Sequence, residues 1–206
     1  MRIRGRGWRK VPWTVRYRYG AEAASQLRRL TVLATHQHCR VEFRGHAKIG
    51  PGFRLEIPDH GTLIVGDGVE FRHGFYCQIL GDGRVEIGDR TTFTSHALIQ
   101  CSTSVTIGPD CNIGQSTVIV DGNHRFRDPD KLLSEQGYDF RPITIGAGAS
   151  ITSKCTVMAD VGERCFVGAH SVVTRDIPAY CLAFGTPARV VEYFGHPEQR
   201  PASLGG

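Results

Sequence analysis

The sequence predicts an all-β chain wound into a parallel β-helix, and three observations carry that expectation. Apolar residues recur six apart: Ile49 and Leu55; Val65, Phe71 and Cys77; Ile87, Phe93 and Ile99; Ile107, Ile113 and Ile119. After an interruption the series resumes as Ile145, Ile151 and Val157, then Val161, Val167 and Val173. Many members precede glycine, as in Ile49-Gly50, Val65-Gly66, Ile87-Gly88, Ile107-Gly108 and Ile145-Gly146. The period matches neither an α-helix at about 3.6 residues nor a strand at about 2.

A short strand and a tight corner, three times per coil, fit a six-residue period. The aliphatic residue of each strand points into the prism, and a small residue at the corner lets the chain turn at little steric cost. Coils stack, so each backbone amide finds a partner above or below. Three regions follow: a basic arm and short helix over 1–39, the β-helix over 40–176, and a C-terminal segment and tail over 177–206.

Residues 1–20 hold seven Arg or Lys and no acid; without them the net charge of +5 becomes −2. Trp8, Trp13, Tyr17 and Tyr19 interleave with those cations. Such an arm suits an anionic membrane surface, but a solubilising tail or a strand that packs on a neighbouring subunit is the more ordinary reading of a basic terminus. Nucleic acid is not expected as a partner. Ala23, Leu27, Leu30 and Ala34 share one helical face, so an amphipathic helix is expected before the prism. Residues 125–141 lack the period and form an inserted loop, and loops of that length usually serve function. From Pro187 a short C-terminal helix is expected.

No apolar run is long enough to span a membrane, and the basic N-terminus has no apolar region of a secretory signal. The seven cysteines are scattered, odd in number and outside any CxxC pattern. Reduced thiols and a cytoplasmic location are expected.

The sharpest local pattern is Val120-Asp121-Gly122-Asn123-His124, at the end of a regular coil and before the loop. A histidine there has rigid backing and a mobile cover, a sensible layout for proton transfer near neutral pH. Asp121 is placed to orient the ring and favour its charged form. A histidine in a turn is also an ordinary surface residue, and the chain has nine. His36-Gln37-His38-Cys39 has the composition of a metal site but precedes the first coil.

Four motifs resemble the hexapeptide-repeat acetyltransferases: DGNHRFRDPD at 121–130, PITIGAGASI at 142–151, VGAHSVVTRDIP at 167–178 and GTPARVV at 185–191. They cover about half the chain in that family's order. The resemblance implies a left-handed β-helix, a homotrimer with sites between subunits, and acetyl-CoA as co-substrate with no metal. It implies His124 as general base, with Asp121 beside it, acting on a hydroxyl or amine of a sugar, glycan or other small acceptor. It places the donor near Ser153, Ala169, Thr174, Arg175 and Arg189, and the acceptor near Thr94, His96 and Asn123. Thr94 departs from the Asn or Asp usual in sugar acetyltransferases. Two other readings share the fold: a carbonic-anhydrase-like protein with zinc on histidines such as His96, His124 and His170, and a non-catalytic scaffold.

Overall fold

The computed structural model describes residues 20–202 continuously, with Pro12 and Val15 before them. Most of the basic arm lies outside the described residues. From Arg40 the chain winds into a prism of three parallel sheets. The first face stacks strands β1 (Arg40–Phe43), β4 (Thr62–Val65), β7 (Arg84–Ile87), β10 (Ser104–Ile107) and β15 (Ile143–Ile145). The second runs from β2 (Lys48–Ile49) to β20 (Cys181–Gly185), and the third from β3 (Arg54–Glu56) to β19 (Val172–Val173). Every member of the six-residue series from Val65 to Val173 is buried, as is Ile49, while Leu55 packs half-buried against this core.

Two of the three corners keep a constant length, and the third does not. Val65 pairs with Ile87, twenty-two residues on, and Val85 pairs with Val105, twenty residues on. Ile145 pairs with Val161, and Val161 with Ile177, each sixteen residues on. The short step between Val157 and Val161 is therefore repeated in the next coil, not a single defect. The wide coils hold the large side chains: Phe71 packs on Phe93 at 5.2 Å and on Phe75 at 4.5 Å between ring centroids. The narrow coils are filled by Ile, Val, Ala and Cys. Circumference and filling volume thus match along the axis, as close packing demands.

The glycines that follow the aliphatic residues act differently from expectation. A Cβ on Gly114 would lie 2.3 Å from the Thr152 backbone, and one on Gly88 2.4 Å from Pro109. These positions need glycine because adjacent coils touch there. The left-handed backbone falls two residues later, at Gly68 and Gly148 but also at Arg90, Asp110, His96, Ser116, Lys154 and His170.

The helix α1 (Ala21–Thr35) caps the open end of the prism, but with another face than the period suggests. Ser25 and Val32 are buried; Ala23, Leu27, Leu30 and Ala34 are exposed. The first coil ends in unpaired backbone groups, so the docking face must supply hydrogen bonds rather than leucines. Ser25 accepts from Ile49 N at 2.7 Å, Arg28 donates to Ile49 O at 2.9 Å and Arg29 to Gly45 O at 3.0 Å. His36 and His38 lie within hydrogen-bonding distance of Leu55 O and Ile57 O. That pair is used in closing the edge.

The far end is closed by a strand instead of the expected helix. β21 (Ala188–Tyr193) folds back antiparallel on β20, pairing Gly185 with Ala188 and Phe184 with Arg189. A helix from Pro187 would leave the last coil's edge bare, whereas the β-branched pair Val190-Val191 suits a strand. Beyond it lies a 3₁₀ turn, Pro197–Gln199.

Candidate active site at the third corner

The inserted loop leaves the prism at the variable corner, directly after Val120. It is an ordered hairpin: β13 (Gly122–His124) pairs antiparallel with β14 (Tyr138–Phe140), and a turn of helix, α2 (Leu133–Gln136), lies at its tip. Side chains alternate along a strand, so Asn123 and His124 face opposite sides of this hairpin.

Asp121 locks the neck. Its buried carboxylate accepts from Ser102 N at 2.9 Å, Thr103 N at 2.6 Å and the Thr103 hydroxyl at 2.8 Å. It therefore holds the corner of the preceding coil, and its hydrogen bonds go there instead of to the His124 ring. The neighbouring strand is tied by Arg141, whose amide donates to Asp121 O at 2.8 Å. The Arg141 guanidinium meets Asp176 at 2.6 Å and Asp160 at 3.4 Å. Those carboxylates keep the Arg141 cation firmly protonated.

His124 is exposed, with its ring 4.3 Å from that of Tyr138 between centroids. Tyr138 in turn stacks on Phe140 at 5.6 Å. These rings wall one side of a cleft of about 370 Å³, whose other side is Gln78, Gln100 and Ser102. Gln100 donates to Gln78 at 3.3 Å and Gln78 to Glu56 at 3.2 Å, making a polar ladder up the third face. A second cleft of about 320 Å³ lies across the hairpin and is lined by Asn123, Arg141, Met158 and Thr174. Ring faces beside amides suit an acceptor with hydroxyls and C–H surface.

Sequence reasoning missed Gln78, Gln100, Tyr138 and Phe140. The alternating Tyr138-Asp139-Phe140 within an otherwise aperiodic loop was the available signal for a strand.

The predicted residues divide between two corners. His124, Asn123, Thr174 and Arg175 belong to the third corner, with Thr174 and Arg175 exposed two coils beyond the hairpin. His96, Ser153 and Ala169 belong to the second, where His96 and His170 adopt positive φ and the His170 amide donates to Ser153 O. Thr94 gives its hydroxyl to Ile113 O at 3.1 Å. Arg189 is exposed on the terminal hairpin and donates to Ala188 O. Among the described residues, no group of three His, Cys, Asp or Glu converges as a metal site.

No family model matches the chain. A probable acetyltransferase of Mycobacterium tuberculosis is 32% identical over 161 residues, covering 68% of this chain and 54% of that protein. A putative lipopolysaccharide biosynthesis O-acetyl transferase of Escherichia coli is 26% identical over 153 residues, covering 70% of this chain and 78% of that protein. Among solved structures, a hexapeptide transferase family protein from Anaplasma phagocytophilum superposes with a TM-score of 0.52 at 16% identity, over 79% of this chain and 88% of that one. The chain is a relative of the hexapeptide-repeat acetyltransferases. A mutant of the N-acyltransferase AntD from Bacillus cereus, solved with dTDP and coenzyme A, gives a TM-score of 0.60 at 13% identity, over 84% of this chain and 91% of that one. The prism is accordingly the left-handed β-helix. The chain spans about half the length of the mycobacterial relative.

Proposed function

We propose that this protein transfers an acetyl group from acetyl-CoA to a hydroxyl of a sugar or glycan, with His124 as general base. The observation that carries the reading is the placement of His124. It stands on a hairpin pinned at its neck by Asp121 and Arg141, at the rim of a cleft with amide and aromatic walls. The O-acetyl transferase among the relatives favours a hydroxyl acceptor.

In this reading the neutral His124 imidazole takes the proton of the acceptor hydroxyl as its oxygen attacks the thioester carbonyl. A tetrahedral intermediate forms and collapses, the carbon–sulfur bond breaks, and the imidazolium returns its proton to the departing thiolate. Acetyl ester and free CoA result, with no net change in His124. Asn123 stays with the acceptor, Thr174 across the hairpin contacts the donor side, and Arg175 and Arg189 take the donor's phosphates through paired, permanently charged groups.

His96, Ser153 and Ala169 lie at a different corner from His124, which supports a site completed between copies in a homotrimer. The tip of the hairpin supports this, since Phe126 and Leu132 expose 62% and 71% of their surface there. Large apolar residues so exposed mark an interaction surface. A protein of the cytoplasm fits the acetyl-CoA requirement.

The test is a panel of mono- and oligosaccharides incubated with acetyl-CoA while released thiol is followed. His124→Ala should lose at least ~10²-fold in turnover, the low end for general-base catalysis, with the loss in kcat because the proton moves in the transition state. Most activity surviving in His124→Ala would refute the assignment and move attention to His96.

A further inference from the structure

We infer that the N-terminal cap of the prism is a docking face for an anionic lipid bilayer. Helix α1 turns its hydrogen-bonding face to the first coil and leaves an apolar face outward. Leu27 and Leu30 are 66% and 63% exposed, Leu33 36%, with Ala23 and Ala34 beside them. No acid interrupts that face. The helix's one acid, Glu22, is turned toward the prism, where it meets His46 at 3.2 Å and Gln26 at 3.0 Å.

The charge of the chain is polarised in the same sense. Residues 1–41 carry ten Arg or Lys and one acid, a net +9. The whole chain is +5, so residues 42–206 amount to 5 − 9 = −4. Seven of those cations fall in residues 1–20, joined directly in sequence to α1, so an anionic surface attracts this end of the chain. The arm that leads into α1 adds Trp8, Trp13, Tyr17 and Tyr19, the residue types that settle at the headgroup level. Exposed leucines, a cationic flank and interfacial aromatics together describe a segment that lies in a membrane surface. No described helix is long and apolar enough to cross a membrane, so the contact is peripheral. Stacked coils are about 4.8 Å apart. The His124 coil is three coils beyond the first, about 14 Å along the axis from the coil that α1 covers.

The test uses the full chain and two vesicle preparations, phosphatidylcholine alone and phosphatidylcholine with phosphatidylglycerol. The protein should sediment with the anionic vesicles and stay in solution with the neutral ones. Added salt should weaken binding, because each cation near the surface contributes about a fivefold factor. Leu27→Ser with Leu30→Ser should bind the anionic vesicles about tenfold more weakly, at unchanged circular dichroism and unchanged acetyl transfer. Equal sedimentation with both vesicles, or equal binding by the double variant, would overturn the inference. So would a double variant that changes mass by light scattering while still binding vesicles, since the leucines would then cover a second copy. The result is independent of whether His124 is a base.

Discussion

Removing the Asp121 carboxylate separates two roles that one residue could play next to His124. Three donors converge on it: the amides of Ser102 and Thr103 and the Thr103 hydroxyl. Asp121 itself is 4% exposed. In Asp121→Ala those donors lose a charged acceptor at a site with little room for water. A buried donor without a partner costs about 1–3 kcal/mol; with the hydroxyl free to rotate toward solvent, the loss should come to about 3–4 kcal/mol. Asp121→Asn keeps one oxygen but sets an amide against the same donors, and about 1.5–3 kcal/mol should go. Denaturant titration at fixed protein concentration measures both, because assembly shifts apparent stability. The midpoint should fall with little change in slope. Hydrogen exchange should speed up at Ser102 and Thr103 before it does elsewhere. If the midpoint is unchanged while activity and its pH profile move, Asp121 acts on the His124 ring and the corner argument is wrong.

Other outcomes follow from the same geometry. Arg175→Ala and Arg189→Ala should each weaken coenzyme A binding by the ~1.5–3 kcal/mol of a charge-assisted contact, with melting temperature unchanged because both are exposed; calorimetry with coenzyme A checks this. Burial pushes the thiols up, Cys165 to about 11 and Cys101 to about 12, with Cys77 beyond the ordinary range. Only half-buried Cys39 among the seven should therefore react promptly with a thiol reagent at neutral pH, and the rest only on unfolding. Arg40 and Arg44 hold Glu42 below the usual carboxylate range, and Arg84 does so for Glu86. A carboxylate depressed in the fold stabilises it above its unfolded pKa and loses that contribution as pH falls. Stability should thus decline below about pH 4.5, modestly, since these pairs are solvent-exposed. A thermal melt that rises on acidification would contradict it.

The prism was legible because its cause is periodic. One aliphatic residue per face, repeated along the chain, leaves few other ways to bury Ile87, Phe93 and Ile99 together. The place of the loop was legible too, as the stretch where the period stops. What the sequence hid were choices made by backbone edges. Leu27 and Leu30 read as a core face, but the first coil needed hydrogen-bond donors, and Arg28 with Arg29 took that side. Pro187 read as a helix start, but the last coil needed a strand partner. Asp121 read as a partner of His124 because the two are close in sequence. Its actual donors are eighteen and nineteen residues away, reached only because one coil stacks on another. The role of glycine after each aliphatic residue was hidden likewise, since contact between coils has no signature within one coil.

The variable third corner has a consequence for how such a protein can change. Ile107 and Ile145 are thirty-eight residues apart, yet they are adjacent rungs of one sheet. Everything between Asp121 and Arg141 is a detour that returns to where it left, so the scaffold does not register its length. Doubling a flexible loop costs only about 0.6 kcal/mol in closure entropy. The hairpin that carries His124, Tyr138 and Phe140 can therefore be regarded as an interchangeable cartridge in a fixed socket, with Asp121 and Arg141 as its two latches. Exchange of residues 122–140 between relatives should then leave the buried rungs of the prism unaltered, and would change acceptor preference if the proposed site is right.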